Sequence, residues 1–407
     1  MNIIITGTGF SFPNGTGAAA RVMAFAKGFV HNGATVHVFS PKPTEINEGE
    51  TQRLPVKGVY EGISFEYTCG QRFVAKTRVG ALLLYLKGLF RAVWAIRRVH
   101  RETPVDAILL WYADSPLNFF VFKVMSKFIG APLIAEICEF PFVYSRKSVS
   151  VRINLWFNEH VTYRLIDGVI VISTFLQKFF ETHSGKSVKI LYVPILVEFG
   201  MFSQDVRRVA LAPARKIVYC GNLEHAGEVE ALLRAFSQVS DEFPKWHIQV
   251  IGPLPQRRTE KTLHTMVVEL GLEGRVDFTG AVSRSDIPCR LAAGDIMALP
   301  RASGVFSAAG CPTKLGEYLA TGKPVVVTNT GDISKYLQDG VNAFLVPPDD
   351  TAAFARALRY VMLHPEDACV VGARGQKVAE SEFNSDIHGV RIIEFVLSLR
   401  RLSDSSF

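Results

Sequence analysis

Short apolar runs rich in Ile and Val recur along the chain, separated by segments whose apolar positions follow helical spacing. In the N-terminal half the runs predict strands at Ile3–Gly7, Val36–Ser40, Ile63–Tyr67, Ala107–Trp111, Leu133–Ile137, Gly168–Ser173 and Val188–Pro194. In the C-terminal half they fall at Ile217–Gly221, His247–Pro253, Val276–Gly280, Asp295–Pro300, Pro324–Asn329 and Ala343–Pro348. Runs that are apolar throughout, and do not alternate, suit strands buried on both faces, with the intervening helices as cover. Two such series predict an α/β protein of two doubly wound, Rossmann-like domains. The pattern turns irregular over Gly200–Arg215 and a fresh strand begins at Ile217. The expected division is therefore 1–200 and 201–384, followed by a last helical segment within 385–407. Ligands of such sheets bind outside the carboxyl ends of the strands, so a cleft between the two domains is the expected site.

The length of 407 residues exceeds one ordinary core and agrees with two. At 48% hydrophobic and 20% charged, the composition is that of a globular chain and excludes a disordered one. The segment Met1-Asn2-Ile3-Ile4-Ile5-Thr6-Gly7 has no charged n-region and reads as a first strand, so a secretory signal is not expected. No uninterrupted apolar run reaches about 18 residues, so no transmembrane helix is expected. The six cysteines are scattered, with no CxxC pair and no metal-ligand spacing, which points to a reduced, cytoplasmic location.

Charge changes the picture in the first half. Residues 1–200 carry 22 Lys and Arg against 14 Asp and Glu, a net +8, whereas residues 201–407 carry 23 against 24, a net −1. From Arg72 to Arg101 the basic residues Lys76, Arg78, Lys87, Arg91, Arg97, Arg98 and Arg101 are interleaved with leucines, Phe90 and Trp94. Lys87 and Arg91 interrupt the apolar run, so the segment is expected not to span a bilayer. Its basic face suits an anionic membrane surface, and a crossover helix packed on the sheet with a solvated basic face is the other reading. No nucleic-acid recognition motif accompanies the charge, so nucleic acid is not an expected partner.

Three segments carry candidate chemistry. The first is Gly310-Cys311-Pro312-Thr313-Lys314-Leu315-Gly316-Glu317-Tyr318-Leu319-Ala320-Thr321-Gly322-Lys323-Pro324. Pro312 suits the first turn of a helix and Gly322 its C-terminal cap. Lys314 and Glu317 then share one helix face. A helix N-terminus with an adjacent Lys suits a phosphate, and a carboxylate one turn further in can accept from ribose hydroxyls. An ordinary surface Lys–Glu pair has the same spacing. The second is the loop Gly7 to Gly17, where Gly15 and Gly17 allow close backbone approach ahead of a helix beginning near Ala18, although a tight turn accounts for them equally. The third is Leu133-Ile134-Ala135-Glu136-Ile137-Cys138-Glu139, which sets two carboxylates at the end of a strand. Alternation turns at most one of them inward. Glu139, nearer the loop, is the candidate for a general base or acceptor-orienting group, with a salt bridge or solvent as the alternative.

The stretch from Pro312 to Val327 resembles the donor-site signature of family 4 glycosyltransferases, in the variants that read PxKLxEYLAxGKPVV. The likeness extends over most of the chain: the N-terminal glycine-rich loop, Asp167–Ser173, Ile217–Gly221 and Asp339–Pro347 follow in the family's order. The resemblance implies the two-domain GT-B fold, with an N-terminal acceptor domain, a C-terminal nucleotide-sugar domain and a final helix crossing back to the first. It implies transfer with retention at the anomeric carbon, without a metal and with no cofactor beyond the nucleotide-diphosphate sugar. The expected acceptor is a sugar or a lipid-linked acceptor, or a growing surface polysaccharide.

Residue by residue, Glu317 matches the second Glu of the family's Glu-x7-Glu motif, which binds the ribose. The first Glu falls on Ala309 and is absent, leaving Ser307 or backbone N–H groups near Ala308–Gly310 for the donor sugar. The family's cationic GRLxxxKG stretch reads Gly221-Asn222-Leu223-Glu224-His225-Ala226-Gly227 here, without either cation, so Lys314 and Arg301 are the expected diphosphate partners. Phe278 and Gly280 lie in the segment resembling the one beside the base, Gly221 at the first strand's end, and Leu315 within the signature helix. The departures at Ala309 and Asn222 leave a second reading, an inactive GT-B subunit serving as a scaffold. A nucleotide-sugar epimerase is a further alternative, and a phosphorylase would need a cofactor-lysine motif that the chain does not show.

Overall fold

The computed structural model describes residues 1–13, 15, 17–45, 55–111, 115–139, 149–202, 215–221, 223, 226–253 and 257–404. The chain divides into two compact units, Met1–Leu196 with Ser385–Phe407, and Val197–Asn384. The division comes at Leu196, slightly ahead of the expected Gly200.

The first unit is built on an eight-stranded sheet in the order β3-β4-β2-β1-β5-β6-β7-β8. Its strands are β1 (Asn2–Gly7), β2 (Thr35–Ser40), β3 (Lys57–Tyr60), β4 (Ile63–Tyr67), β5 (Ala107–Trp111), β6 (Leu133–Ile137), β7 (Gly168–Val171) and β8 (Lys189–Tyr192). All pair in parallel except β3, which is antiparallel to β4. The sequence reading missed β3 because it is a short edge strand whose residues alternate between half-exposed and exposed, so it carries no apolar run. The central strands β1, β5, β6 and β7 are buried along their whole length, as their continuous Ile, Leu and Val runs require.

Five helices of this unit follow in order: α1 (Gly17–His31), α2 (Arg78–Glu102), α3 (Pro116–Ile129), α4 (Val149–His160) and α5 (Thr174–His183). The C-terminal helix Ser385–Asp404 packs on α1. The two can meet closely because their crossing is made of glycine: a Cβ on Gly28 would lie 2.3 Å from the Ser385 carbonyl oxygen, and one on Gly389 would lie 2.4 Å from that of Gly28. Ile392, Val396 and Leu399 then join the core formed by α1 and the central strands.

One strand-end carboxylate lies within this core. Glu136 is fully buried, and Arg21 of α1 donates to it through Nε at 2.8 Å. The remaining Arg21 nitrogens donate to the carbonyls of Pro194 (2.6 Å) and Val193 (3.1 Å). Burial pushes the Glu136 carboxyl above its ordinary range, and the guanidinium opposes that push. Glu139, after the strand, is half-buried.

Helix α2 departs from expectation. Despite Lys87 and Arg91 it is long and apolar enough, by length and composition, to cross a membrane. Gly88, Leu89, Ala92, Ala95, Ile96 and Val99 are nevertheless buried within the unit, in contact with β2 and α3.

The second unit holds a six-stranded parallel sheet in the order β11-β10-β9-β12-β13-β14. Its strands are β9 (Lys216–Cys220), β10 (His247–Ile251), β11 (Val276–Gly280), β12 (Ile296–Leu299), β13 (Val325–Thr328) and β14 (Phe344–Val346). The chain winds outward from β9 through β10 to β11 and then returns to β12 on the other side of β9. The strand order therefore reverses between β9 and β12, and their carboxyl ends, Cys220 and Leu299, border the crevice where such sheets take ligands.

The buried Arg21–Glu136 pair gives a stability test. Arg21→Met strands a buried carboxylate and should destabilise the first unit by about 3–5 kcal/mol, while adding Glu136→Leu should recover most of that loss. Urea unfolding of wild type, single and double variants measures it. An equal loss in the single and double variants would show that the cost comes from packing and not from the orphaned charge.

Candidate active site

The ends of β9 and β12 place two helices beside the reversal point. Ala226–Ser237 (α6) follows β9, and Thr313–Ala320 follows β12 after a short helical turn at Val305–Ala309. The region expected as a loop from Ala302 to Gly310 thus contains that turn. Pro312 is the N-cap of the second helix, with an extended backbone, and not its first residue. Gly322 sits one residue past the cap Thr321 at φ +73°, the left-handed conformation that ends a helix.

What fixes the Thr313–Ala320 helix is Tyr318. It is fully buried, and its hydroxyl accepts from the Cys220 N–H at 2.6 Å and donates to the Cys220 carbonyl at 3.2 Å. Leu315 is buried too, its side chain packed in the core of the unit. With those residues facing inward, Lys314 and Glu317 are half-buried, Lys314 beside Tyr219 near the carboxyl end of β9.

Lys314 donates to Glu228 Oε2 at 2.7 Å and to the Tyr219 hydroxyl at 2.8 Å. Its ammonium also lies 4.4 Å from the centre of the Tyr219 ring. Tyr219 in turn donates to Glu228 at 2.7 Å. Burial, then the Glu228 charge, push the Tyr219 hydroxyl far above its ordinary value, so it stays protonated and remains a donor. Arg301 approaches the other oxygen of Glu228 at 3.6 Å. Arg301 is held by its own N–H, which donates to Thr328 Oγ1 at 2.8 Å, and by the Phe306 ring 5.6 Å from its guanidinium. Burial works against the Glu228 charge, but Lys314, Tyr219 and Arg301 together hold its carboxyl below the ordinary carboxylate range.

Gly221 leaves room for this cluster. A Cβ there would lie 2.7 Å from Lys314 Nζ and 3.2 Å from the Tyr219 hydroxyl. Asn222, where the resembled family carries an Arg, lies outside the described residues, as do Glu224 and His225.

Glu317 meets a different cation. Arg284 donates to its Oε1 at 3.2 Å, and the same guanidinium reaches Glu198 at 3.5 Å. Burial raises the Glu317 carboxyl above its ordinary range, against the pull of Arg284. Ser307 spends its hydroxyl hydrogen on the Ala302 carbonyl at 2.6 Å and is buried. Ala309 is also buried, so the position of the missing first Glu is occupied by packing. Phe278 is half-buried with its ring 5.0 Å from that of His264, and Gly280 closes β11 at φ +71° with open space around it.

The second unit thus brings Gly221, Arg301, Lys314 and Glu317 together. Phe278 and Gly280 lie at the end of β11, two strands from β9. Gly15, which is exposed, Gly17, which opens α1, and Glu139 belong to the first unit. A depression lined by Asp339, Phe344, Arg356, Tyr360 and Arg374 also lies in the second unit, and none of the predicted site residues lines it.

Sequence reasoning missed Glu228 and Arg284. Both sit in segments that leave carboxyl ends of strands, Glu228 in the first turn of α6 and Arg284 after β11. That placement was the available signal. Chemically, the cluster offers two cations to an anion, Lys314 and Arg301, both now occupied by one carboxylate.

An incoming anion must compete with Glu228. Glu228→Gln should therefore strengthen binding of inorganic pyrophosphate by about tenfold, the scale of one charge-assisted hydrogen bond. Calorimetric titration with pyrophosphate measures this, and weaker binding by the variant would show instead that Glu228 is needed to hold Lys314 in place.

Residues 16–195 match the family model described as "Glycosyl transferase 4-like domain", and residues 214–364 match "Glycosyl transferases group 1". A GDP-mannose-dependent alpha-(1-6)-phosphatidylinositol monomannoside mannosyltransferase of Mycolicibacterium smegmatis is 25% identical over 245 residues, 58% of this chain and 63% of that protein. The chain thus spans less than two thirds of the length of that relative. Sucrose-phosphate synthase from Thermosynechococcus elongatus superposes with a TM-score of 0.76 at 18% identity, covering 98% of this chain and 99% of that one. Anabaena HepE in complex with UDP and glucose gives 0.67 at 19% identity, covering 97% and 99%. At these identities the solved structures establish the fold, while the two family models between them take in most of the chain: it belongs to the family 4 glycosyltransferases of the GT-B type.

Proposed function

We propose that this protein transfers a hexose from a nucleoside-diphosphate hexose to a sugar-bearing, lipid-linked acceptor, with retention at the anomeric carbon and without a divalent metal. The observation that carries this reading is the cation cluster at the strand-order reversal of the second sheet, with a carboxylate one helical turn beyond it. Lys314 and Arg301 suit a diphosphate, and Glu317 suits the ribose next to it. Lys314 and Glu317 are separated by a rise of roughly 4.5 Å along the helix, the scale of the step from diphosphate to ribose. The second unit is the donor-binding unit in this reading, and the first takes the acceptor, with Glu139 and the Gly15–Gly17 turn as its candidate contacts. The Mycolicibacterium relative is named for GDP-mannose and a phosphatidylinositol-linked acceptor, and the Anabaena structure holds UDP and glucose. These names supply the donors to try first and the class of acceptor.

Charge develops on the diphosphate as the glycosidic bond breaks. Lys314 and Arg301, preorganised in a half-buried site, are positioned to stabilise that charge, which is the role a metal would otherwise fill. Glu317 accepts most strongly from the ribose hydroxyls when it is ionised, the form that its pairing with Arg284 favours.

Calorimetry with GDP and UDP tests the donor site. Glu317→Gln should weaken nucleotide binding by about 10- to 100-fold, the loss of a charge-assisted hydrogen bond, with the fold intact. Equal affinities in wild type and variant would remove Glu317 from the site. The raised Glu317 carboxyl adds a pH signature. Protonation begins at a higher pH than for an ordinary carboxyl, so nucleotide affinity should fall early on acidification, and Glu317→Gln should lose that acid limb.

Turnover with GDP-mannose and UDP-glucose tests the chemistry. Lys314→Ala should lower kcat more than it raises KM, because the leaving-group charge peaks in the transition state. Activity should persist in EDTA, and its loss with recovery on adding Mg2+ or Mn2+ would count against metal-free transfer. Product carrying the opposite anomeric configuration to the donor would overturn retention.

A further inference from the structure

Three neighbouring helices of the first unit leave a broad apolar face uncovered. On α2, the residues Leu82, Leu83, Leu86, Phe90 and Trp94 are all exposed, Trp94 at 56%. They recur at helical spacing on one side, opposite the buried residues Leu89, Ala92 and Ile96. On α3, Phe120, Val124 and Phe128 are exposed in the same pattern, Val124 at 70%. On α4, Ile153 and Trp156 are exposed at 60% and 57%.

The three faces are joined. The Arg97 guanidinium of α2 lies 4.4 Å from the centre of the Phe128 ring of α3, and Phe120 of α3 packs on Phe157 of α4 with ring centres 5.8 Å apart. Tyr85 of α2 donates to Asn118 of α3 at 2.5 Å. An apolar face spread over three helices is larger than scattered surface apolar residues explain.

The charge around it is predominantly positive. Exposed Lys87 and Arg91 flank the stripe on α2, Lys127 lies on α3 and Arg152 on α4. The only acidic residues in the three helices are Glu102 and Glu159. A second copy of the chain would be a poor partner for this face, because a twofold contact would set one mostly cationic rim against another. An anionic lipid surface satisfies both features at once.

We propose that the exposed faces of α2, α3 and α4 form a bilayer-docking surface whose Leu, Phe and Trp side chains enter the acyl region while Lys87, Arg91, Lys127 and Arg152 meet anionic headgroups. This differs from attraction by a basic face alone, since the apolar insertion supplies a salt-resistant part of the binding. It also differs from a transmembrane span. A Cβ on Gly88 would lie 1.9 Å from the Pro41 carbonyl oxygen, so the middle of α2 is seated directly on the backbone of its own unit. The helix therefore lies along the surface, half in the fold and half in the lipid. The proposal stands on these faces alone, whatever reaction the protein catalyses.

The test is cosedimentation of the whole chain with phosphatidylglycerol–phosphatidylcholine vesicles, with and without acyl-brominated lipid. Wild type should bind, keep a measurable fraction bound at about 1 M salt, where charges are screened beyond roughly 3 Å, and show quenching of Trp94 and Trp156 by the brominated chains. Trp94→Phe with Trp156→Phe should remove the quenching without loss of binding, since of the other two tryptophans Trp111 is buried and Trp246 belongs to the second unit. Leu82→Ser, Leu83→Ser and Phe90→Ser together alter only exposed side chains and should reduce binding at least tenfold with unchanged thermal unfolding. Lys87→Glu with Arg91→Glu should weaken binding only at low salt. No binding to the vesicles at low salt would overturn the proposal. So would binding fully reversed by salt with no quenching, which would mean headgroup adsorption without insertion. A stable dimer in lipid-free solution that the serine variant dissolves would overturn it too, by assigning the face to a second copy.

Discussion

The second unit depends on a carboxylate set between two cations. Glu228 carries hydrogen bonds from Lys314 and Tyr219 on one oxygen and faces Arg301 with the other. Without it, two positive groups would share a poorly solvated corner of the protein, where their mutual repulsion is weakly screened. With it, both side chains have fixed positions before any ligand arrives. The geometry reaches back into the backbone: a Cβ at Gly221 would displace the Lys314 ammonium from its present position, and Tyr318 clasps Cys220, which holds the helix that carries Lys314 and Glu317. A site assembled this way has little reorganisation left to do when charge appears on a leaving group, which is where electrostatic catalysis gains most. Its cost is competition, since an anion must take the place of a well-bonded carboxylate.

The same logic appears in a quieter form around Glu317. Its partner Arg284 is shared with Glu198, so one guanidinium stands between two carboxylates, the inverse of the Glu228 cluster. Side by side, the clusters separate the crevice into a part that favours anions and a part that accepts hydrogen bonds. A nucleoside diphosphate presents these two characters in the same sequence, phosphate and then hydroxyl-bearing ribose.

The fold was legible in the sequence because parallel strands buried on both faces, such as β1, β5, β6 and β7, leave continuous apolar runs, and among the described residues thirteen of the fourteen strands coincide with a predicted one. The exception, β3, lies at the sheet edge and half in solvent, so burial imposed no pattern on it. The short turn at Val305–Ala309 was hidden by small residues that suit loop and helix alike. In the site, Lys314 and Glu317 were legible from helix spacing, because one helix sets both. Glu228 and Arg284 were not, since their partners lie 86 and 33 residues away, and nothing in local periodicity reports such a meeting. Glu136 was ambiguous for a related reason. A carboxylate at a strand end looks the same in sequence whether it faces a ligand or a buried arginine 115 residues distant.

Helix α2 shows how one pattern can serve two environments. Its apolar residues exceed what a single buried face needs, which is why it passes by composition for a membrane-crossing helix. Burial claims Leu89, Ala92, Ile96 and Val99, and the excess, Leu82 to Trp94 on the other side, stays uncovered. Hydropathy alone cannot separate the two sets, because both are apolar; only the close seating of Gly88 against Pro41 says which side belongs to the protein. On the proposed docking, the basic residues account for the other side. A helix that crossed a bilayer would have to bury Lys87 and Arg91 in hydrocarbon, whereas one lying in the interface leaves them among headgroups. Charge and apolarity therefore do not conflict on this helix, because the fold fixes its orientation and lets each meet the solvent that suits it.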